Sequence, residues 1–369
     1  MKKIISTLLI FAMLFATVVS VASCDLSSYL QTQSTIDANR VILKTEMIDG
    51  CLWITYEDAP EVRINVGRLS EEETTLAGTT PEGTTPDNKP EDNTPVAKDY
   101  QLVVVTDSAI SNGKVSNHAL ALVIGAGGKI VSARFDCAEI KPELDEGSNL
   151  LTQAFVATKI EQGDNYGGGY GMHAGSWADQ AKAFEDYIVG KTADEVANLD
   201  LTLIAGCTMK STTPLFQALV AKAFASNLKV SFSTADEITL GLAIDSTVSE
   251  SRGNASVSSD FAGVVIADGK VVATMLDSCE QKFSIEGGAL EAPETPAVSK
   301  NDQGDYYVMP NGAWYAQAQA FANFTIGKTV AELADLETIS DALAAAGCTM
   351  RYTIADYKAT IIKAAGYAR

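Results

Sequence analysis

Apolar positions recur at helical spacing twice along the chain. Trp177, Ala181, Phe184 and Ile188 fall on one face of a helix, and Trp314, Ala318, Phe321 and Thr325 repeat that face. Gly190 and Gly327 follow at the place of a left-handed helix stop. Thr192 with Glu195, and Thr329 with Glu332, have the spacing of a capping box for a short second helix. Thr212 and Thr353 stand where they can cap a last helix. Its inner face reads Phe216, Val220, Phe224 in one copy and Tyr357, Ile361, Ala364 in the other. Strands precede these helices. Residues 102–106, 118–124 and 129–135 read as strands in the first copy, with a turn over 125–128. Residues 261–266 and 270–276 repeat the hairpin around Asp268-Gly269, a strong two-residue turn cue. Two further turns fall around Asp145-Glu146-Gly147 and Glu286-Gly287-Gly288.

The two copies are in register over long stretches. GGKIVSARFD from Gly127 matches DGKVVATMLD from Asp268, Thr158 matches Ser299, and AGCTM from Ala205 matches AGCTM from Ala346, each pair 141 positions apart. The first copy carries four extra residues in a glycine-tyrosine loop at 167–171, and the second regains four before its AGCTM. A period this long is a duplicated domain, since solenoid repeats run to roughly 20–50 residues. The expected fold class is α+β: two tandem domains, residues 99–228 and 229–369, each a small antiparallel sheet with helices.

The N-terminal part reads differently. Lys2-Lys3 precede an apolar run over residues 4–21, closed by Val21-Ala22-Ser23-Cys24. That is a secretory signal over residues 1–23, and its last residues resemble the box of a bacterial lipoprotein signal. The resemblance implies cleavage before Cys24, lipid on that cysteine, and an extracytoplasmic chain held at the membrane surface. In the segment 24–69, Leu52, Ile54, Tyr56 and Val62, Ile64, Val66 alternate on either side of 57–60, a β-hairpin signal. Residues 70–98 are rich in Thr, Pro and Glu with little to bury, and read as a disordered spacer.

Composition narrows the functions. An apolar fraction of 46% supports a buried core, and a formal net charge of −20 argues against nucleic acid as a partner. The two histidines, His118 and His173, have no counterparts in the other copy, so no repeated histidine metal site is expected. Beyond Cys24 there are five cysteines: 51, 137, 207, 279 and 348. Bridges 137–207 and 279–348 are conceivable in an oxidising compartment. The one-residue slip between Cys137 and Cys279 turns one of them to the opposite strand face, which favours buried thiols. No nucleophile or general base recurs in both copies in a catalytic setting, so no catalytic residue is assigned.

One motif remains. Ala205-Gly206-Cys207-Thr208-Met209-Lys210 and Ala346-Gly347-Cys348-Thr349-Met350-Arg351 are glycine turns leading into a helix. Such a turn can seat a phosphate on free N–H groups, or serve only as a tight connection. With Trp177 and Gln180, and Trp314 and Gln317, on the helix upstream, each repeat resembles the bacterial extracytoplasmic FMN-binding domains. The resemblance implies a flavin-phosphate site at Gly206, Cys207, Thr208, Lys210 and at Gly347, Cys348, Thr349, Arg351, with a role in electron transfer. It departs where the family's flavin-linked threonine should stand, because Lys210 and Arg351 occupy that place. These cations can pair with a phosphate but cannot form the phosphoester, so FMN or another phosphorylated ligand would be held non-covalently. Trp177 and Trp314 would stack on a ring or fill the core. The alternative expectation is a cofactor-free binding or structural module of the cell envelope.

Overall fold

The computed structural model describes residues 96–166, 172, 174–336, 340–350 and 354–369, and the backbone of three strands between 42 and 68. The signal segment with Cys24, spacer residues 70–95, the loop 167–171, His173, Arg351 and Thr353 lie outside the described residues. The chain divides into two compact units, Met1–Glu91 and Asp92–Arg369.

In the first unit, β1 (Ile42–Ile48), β2 (Cys51–Tyr56) and β3 (Ala59–Arg68) form an antiparallel sheet in that order. The expected hairpin is the β2–β3 pair, with Ile54 opposite Ile64. The added strand β1 has the sequence ILKTEMI, whose apolar positions do not alternate.

The second unit is α+β. Strands β4 (Lys98–Ser111), β5 (Lys114–Gly125) and β6 (Lys129–Ile140) form an antiparallel meander. Helices α1 (Lys159–Gln162), α2 (Trp177–Ile188), α3 (Ala193–Ala197) and α4 (Thr213–Ala225) follow. Then β7 (Val230–Thr234) returns to pair with β4, giving the sheet order β6-β5-β4-β7. The meander recurs in β8 (Ile238–Ser251), β9 (Asn254–Ala267) and β10 (Lys270–Glu286), but the fourth strand differs: β11 (Ala289–Glu291) follows directly and pairs with β10, at the opposite edge from β7, giving the order β11-β10-β9-β8. A two-residue pair, β12 (Val308–Met309) with β13 (Gly312–Ala313), leads into the second helical set. That set is α5 (Lys300–Gln303), ahead of the pair, then α6 (Trp314–Asn323), α7 (Val330–Ala334), α8 (Asp341–Ala345) and α9 (Ile354–Gly366).

Four layers result: helices, sheet, sheet, helices. Val103, Val105, Leu120 and Leu122 face α2 and α4, while Leu102, Val104, Ala121 and Val123 face the second sheet. This explains the unbroken apolar runs in β4 and β5, because a strand covered on both faces needs no polar alternation. The middle core takes Leu240, Leu242, Phe261, Val265 and Met275 from the second half, so both halves share it. Each fully buried side chain of this kind contributes about 1.5–3 kcal/mol. The sheets approach closely at Gly263, where an added Cβ would lie 2.5 Å from Val104 Cγ2. Any larger residue there must push the layers apart. Gly241 serves the other face of its sheet, where a Cβ would lie 1.8 Å from the Ala364 carbonyl oxygen of α9.

The packing is reciprocal. β6 lies against β8 and β10 lies against β4, with β5 and β9 between them. A polar seam crosses this interface. Thr106 Oγ1 donates to Asp277 Oδ2 at 3.0 Å, and Asn117 Nδ2 donates to Ser259 Oγ at 2.8 Å.

The helix signals hold with two corrections. Both expected capping boxes form, at Thr192 with Glu195 and Thr329 with Glu332. Thr212 does not cap α4: its backbone is already helical, and Pro214 occupies the first turn. Thr213 takes over locally, its hydroxyl donating to the Met209 carbonyl at 2.7 Å. The second Trp helix ends at Asn323, so Thr325 lies beyond it, buried, with its hydroxyl 2.8 Å from that of Thr274.

Candidate functional site

The Gly-Cys-Thr turns are built the same way in both halves. Gly206 and Gly347 have φ of 78° and 96°, the region open to glycine without strain. Cys207 and Cys348 are buried, and Thr208 follows at the surface. The buried Gln180 on α2 reaches across to the turn. Its Oε1 accepts from the Thr208 amide at 2.7 Å and the Thr208 hydroxyl at 3.0 Å, and its Nε2 donates to the Gly175 carbonyl at 3.0 Å. Gln317 on α6 repeats this with Thr349 at 2.9 and 2.8 Å, and with Gly312 at 3.3 Å.

This geometry bears directly on the expected phosphate seat. The amide and hydroxyl that a phosphate would use at Thr208 or Thr349 already donate to a protein carbonyl. The turn as folded therefore does not fit a phosphate through those donors. Lys210 is exposed beside the turn, and Arg351 lies outside the described residues. The tryptophans belong to the core. Trp177 stands edge-on to Phe216 at 5.8 Å and Trp314 edge-on to Tyr357 at 5.8 Å, both essentially buried. Neither presents a ring face at the surface. The structure thus brings Trp177, Gln180, Gly206, Cys207 and Thr208 together, and likewise Trp314, Gln317, Gly347, Cys348 and Thr349, as two glutamine-clamped turns, with the buried Trp177 Nε1 left without a hydrogen-bond partner.

A second constellation escapes the sequence reading. Lys159 and Lys300 start α1 and α5 at equivalent places, and each lies on its tryptophan. Lys159 Nζ is 5.5 Å from the Trp177 ring and 4.7 Å from the Tyr166 ring; Lys300 Nζ is 5.2 Å from Trp314 and 5.4 Å from Tyr307. The halves differ in how they balance the charge. Lys159 is paired with Glu139 at 3.0 Å. Lys300 has no carboxylate within 4 Å among the described residues and approaches the Tyr357 hydroxyl at 3.3 Å. Burial works against both ammonium charges. It is outweighed at Lys159 by Cys137, Tyr166 and Glu139, and at Lys300 by Tyr357, Tyr307 and Asp260, so both stay protonated above the ordinary lysine value. Lys300 borders a cavity of about 510 Å³ with Glu280, Asp302, Tyr306 and Tyr307.

Two buried aspartates anchor the same short helices. Asp136 Oδ1 accepts from the Cys137 and Ile160 amides at 2.7 and 3.2 Å, and Asp277 Oδ1 from Ser278 and Asn301 at 2.8 and 3.0 Å. Burial pushes Asp136 up to about 7 and Asp277 up to about 6, against the downward pull of these donors. Burial, aided by the nearby Lys159 charge, brings His118 down to about 4, which leaves it a neutral imidazole. Among the described residues no group of His, Cys, Asp and Glu could hold a metal ion.

The four cysteines among the described residues are free and buried. Cys137 faces the α2–α4 core and Cys279 faces the shared middle core, the outcome that the one-residue slip implies. No protein-family model, no curated protein and no solved structure matches the chain.

Proposed function

We propose that this chain is a lipid-anchored, extracytoplasmic binding protein that works without a flavin. Its two α+β halves are descendants of one duplicated domain, carried on the Thr/Pro/Glu spacer and held at the membrane through Cys24. The observation that carries this reading is the Gln clamp. In both halves a buried glutamine takes the two donors that a flavin phosphate would need. The clamp makes the Gly-Cys-Thr turn a structural joint, and the 141-residue repeat explains why it occurs twice.

The second reading is FMN held non-covalently for electron transfer. One observation favours it: Lys210 is exposed next to the turn, where a charge-assisted contact to phosphate is available.

The test separates the two. The full chain is expressed with its signal, metabolic lipid labelling is followed, and the purified protein is titrated with FMN and riboflavin. The primary reading expects lipid on wild type, none on Cys24→Ala, and no saturable binding of either flavin. Binding of FMN that weakens in Lys210→Ala would transfer the conclusion to the second reading.

A further inference from the structure

The two halves differ on the outer side of the Trp helix. In the first half this place is locked by charge. Glu185 on α2 accepts the Phe135 amide of edge strand β6 at 2.8 Å and pairs with Arg369 at 2.8 Å and Arg134 at 3.4 Å; Lys182 pairs with Asp186 at 2.5 Å. In the second half, the repeat puts Ala322, Leu228, Met275, Gln319 and Asn323 at the positions of Glu185, Arg369, Arg134, Lys182 and Asp186. Every one of these charges is gone. The result is an open groove of about 540 Å³ between α6, β10 and the connection that starts at Asn227.

Four neutral amides and one aromatic ring, Asn227, Asn301, Gln319, Asn323 and Tyr315, stand in the groove among apolar side chains such as Leu228 and Met275. Lys229 also borders it, but its ammonium donates to the Phe224 carbonyl at 3.0 Å. The amides keep bonding capacity. Gln319 donates through Nε2 to Asn323 Oδ1 at 2.9 Å and to the Thr274 carbonyl at 3.4 Å, leaving Gln319 Oε1 and Asn323 Nδ2. Asn301 donates through Nδ2 to the Leu276 carbonyl at 2.8 Å, leaving its Oδ1. Asn227 at the mouth is exposed.

We propose that this groove binds a neutral saccharide. Amides offer donors and acceptors side by side without charge, which is the complement of vicinal hydroxyls that each donate and accept. A few fixed polar groups with an aromatic wall are the usual make-up of a small-ligand site. An extended peptide is the poorer fit. Strand addition at β10 would need the Thr274 and Leu276 carbonyls, and both already accept from groove amides.

This inference rests on the binding-protein reading and names its ligand class. The full chain is titrated by calorimetry and ligand-observed NMR with maltotriose, cellotriose, chitotriose and mannotriose, and with trialanine as the peptide probe. At least one trisaccharide should bind. Gln319→Ala with Asn323→Ala should weaken it at least tenfold, and Ala316→Trp, which fills the groove without removing a bond, should block it. Lys182→Ala with Asp186→Ala, the matching pair in the first half, should leave binding unchanged. No trisaccharide binding, binding indifferent to both groove variants, or trialanine binding in place of the sugars overturns the proposal. The flavin titration fails or succeeds independently, so an absent sugar site and a flavin protein give different results.

Discussion

Lys222 of α4 reaches into the other half and pairs with Asp302 of α5 at 2.6 Å, and the equivalent Lys363 of α9 reaches back to Glu161 of α1 at 2.8 Å. Each last helix thus ties down the opposite short helix. The two ties are not equal. Lys222 and Asp302 are about one-third exposed, whereas Lys363 and Glu161 are 17% and 11% exposed, and Lys363 also pairs with Asp245 at 2.6 Å. Lys222→Ala should cost about 1 kcal/mol or less, as partly exposed pairs do. Lys363→Ala strands one shielded carboxylate, Glu161, and the 29%-exposed Asp245, and should cost about 1–3 kcal/mol. Urea unfolding monitored by tryptophan fluorescence reads both, and equal losses would refute the ranking.

The Gln clamps should carry stability. Gln180→Ala leaves the Thr208 amide and hydroxyl without their acceptor and the Gly175 carbonyl without its donor. A loss of about 1–3 kcal/mol is expected, and the same for Gln317→Ala. Hydrogen exchange at the Thr208 and Thr349 amides gives a local readout. An unchanged exchange rate at Thr208 in Gln180→Ala would contradict the clamp.

Stability should fall as pH rises through neutrality. Asp136 and Asp277 have folded values raised to about 7 and about 6, and burial also raises Asp260 to about 7. A raised value means the folded state holds the proton more tightly than the unfolded chain. The resulting stability is complete below about pH 4, the unfolded carboxylate value, and is lost as pH rises through 6 to 7. His118, lowered to about 4, works the other way: it adds stability as pH rises from 4 to its unfolded value of about 6.5. These raised carboxyls, joined by Glu185 and Asp356, which burial also raises, outweigh the one histidine and leave a net decline between about pH 5.5 and 7.5. Asp136→Asn with Asp277→Asn should flatten the melting temperature across that range. A slope as steep as wild type would discount these two carboxyls.

The thiols should be silent in the folded protein. Burial raises all four, Cys137 to about 12, and thiolate is the reactive form. Native alkylation followed by peptide mass mapping should leave 137, 207, 279 and 348 unmodified, and denaturant should expose all four. A 137–207 or 279–348 bridge in the non-reduced map would overturn this.

The helix periodicity, the Asp268-Gly269 hairpin and the cysteine slip were legible because each depends on near neighbours. What the chain pairs over distance was less so. β4 runs to Ser111 and β5 begins at Lys114, well past their apolar runs, because Ser108 and Asn117 bond within the polar seam. The Asn112-Gly113 turn joining them is a two-residue hairpin signal with both φ positive. β8 is interrupted in sequence by Gly241, whose reason is the nearby α9 carbonyl. At the site, the Gly-Cys-Thr turn was visible, but not that a glutamine on the preceding helix would occupy its donors. Lys159 and Lys300 directly follow the matched Thr158 and Ser299, yet nothing local marks a lysine that will lie on a buried tryptophan.

The reciprocal contact of β6 with β8 and of β10 with β4 has a consequence for a lone half. Cut from its sister, a half would present a bare apolar sheet face, with Leu102, Val104 and Ala121 uncovered in the first. A second copy of the same half could cover that face through a two-fold axis, each copy offering the same sheet face to the other. A half expressed alone should therefore self-associate, and sedimentation of residues 96–235 would read it.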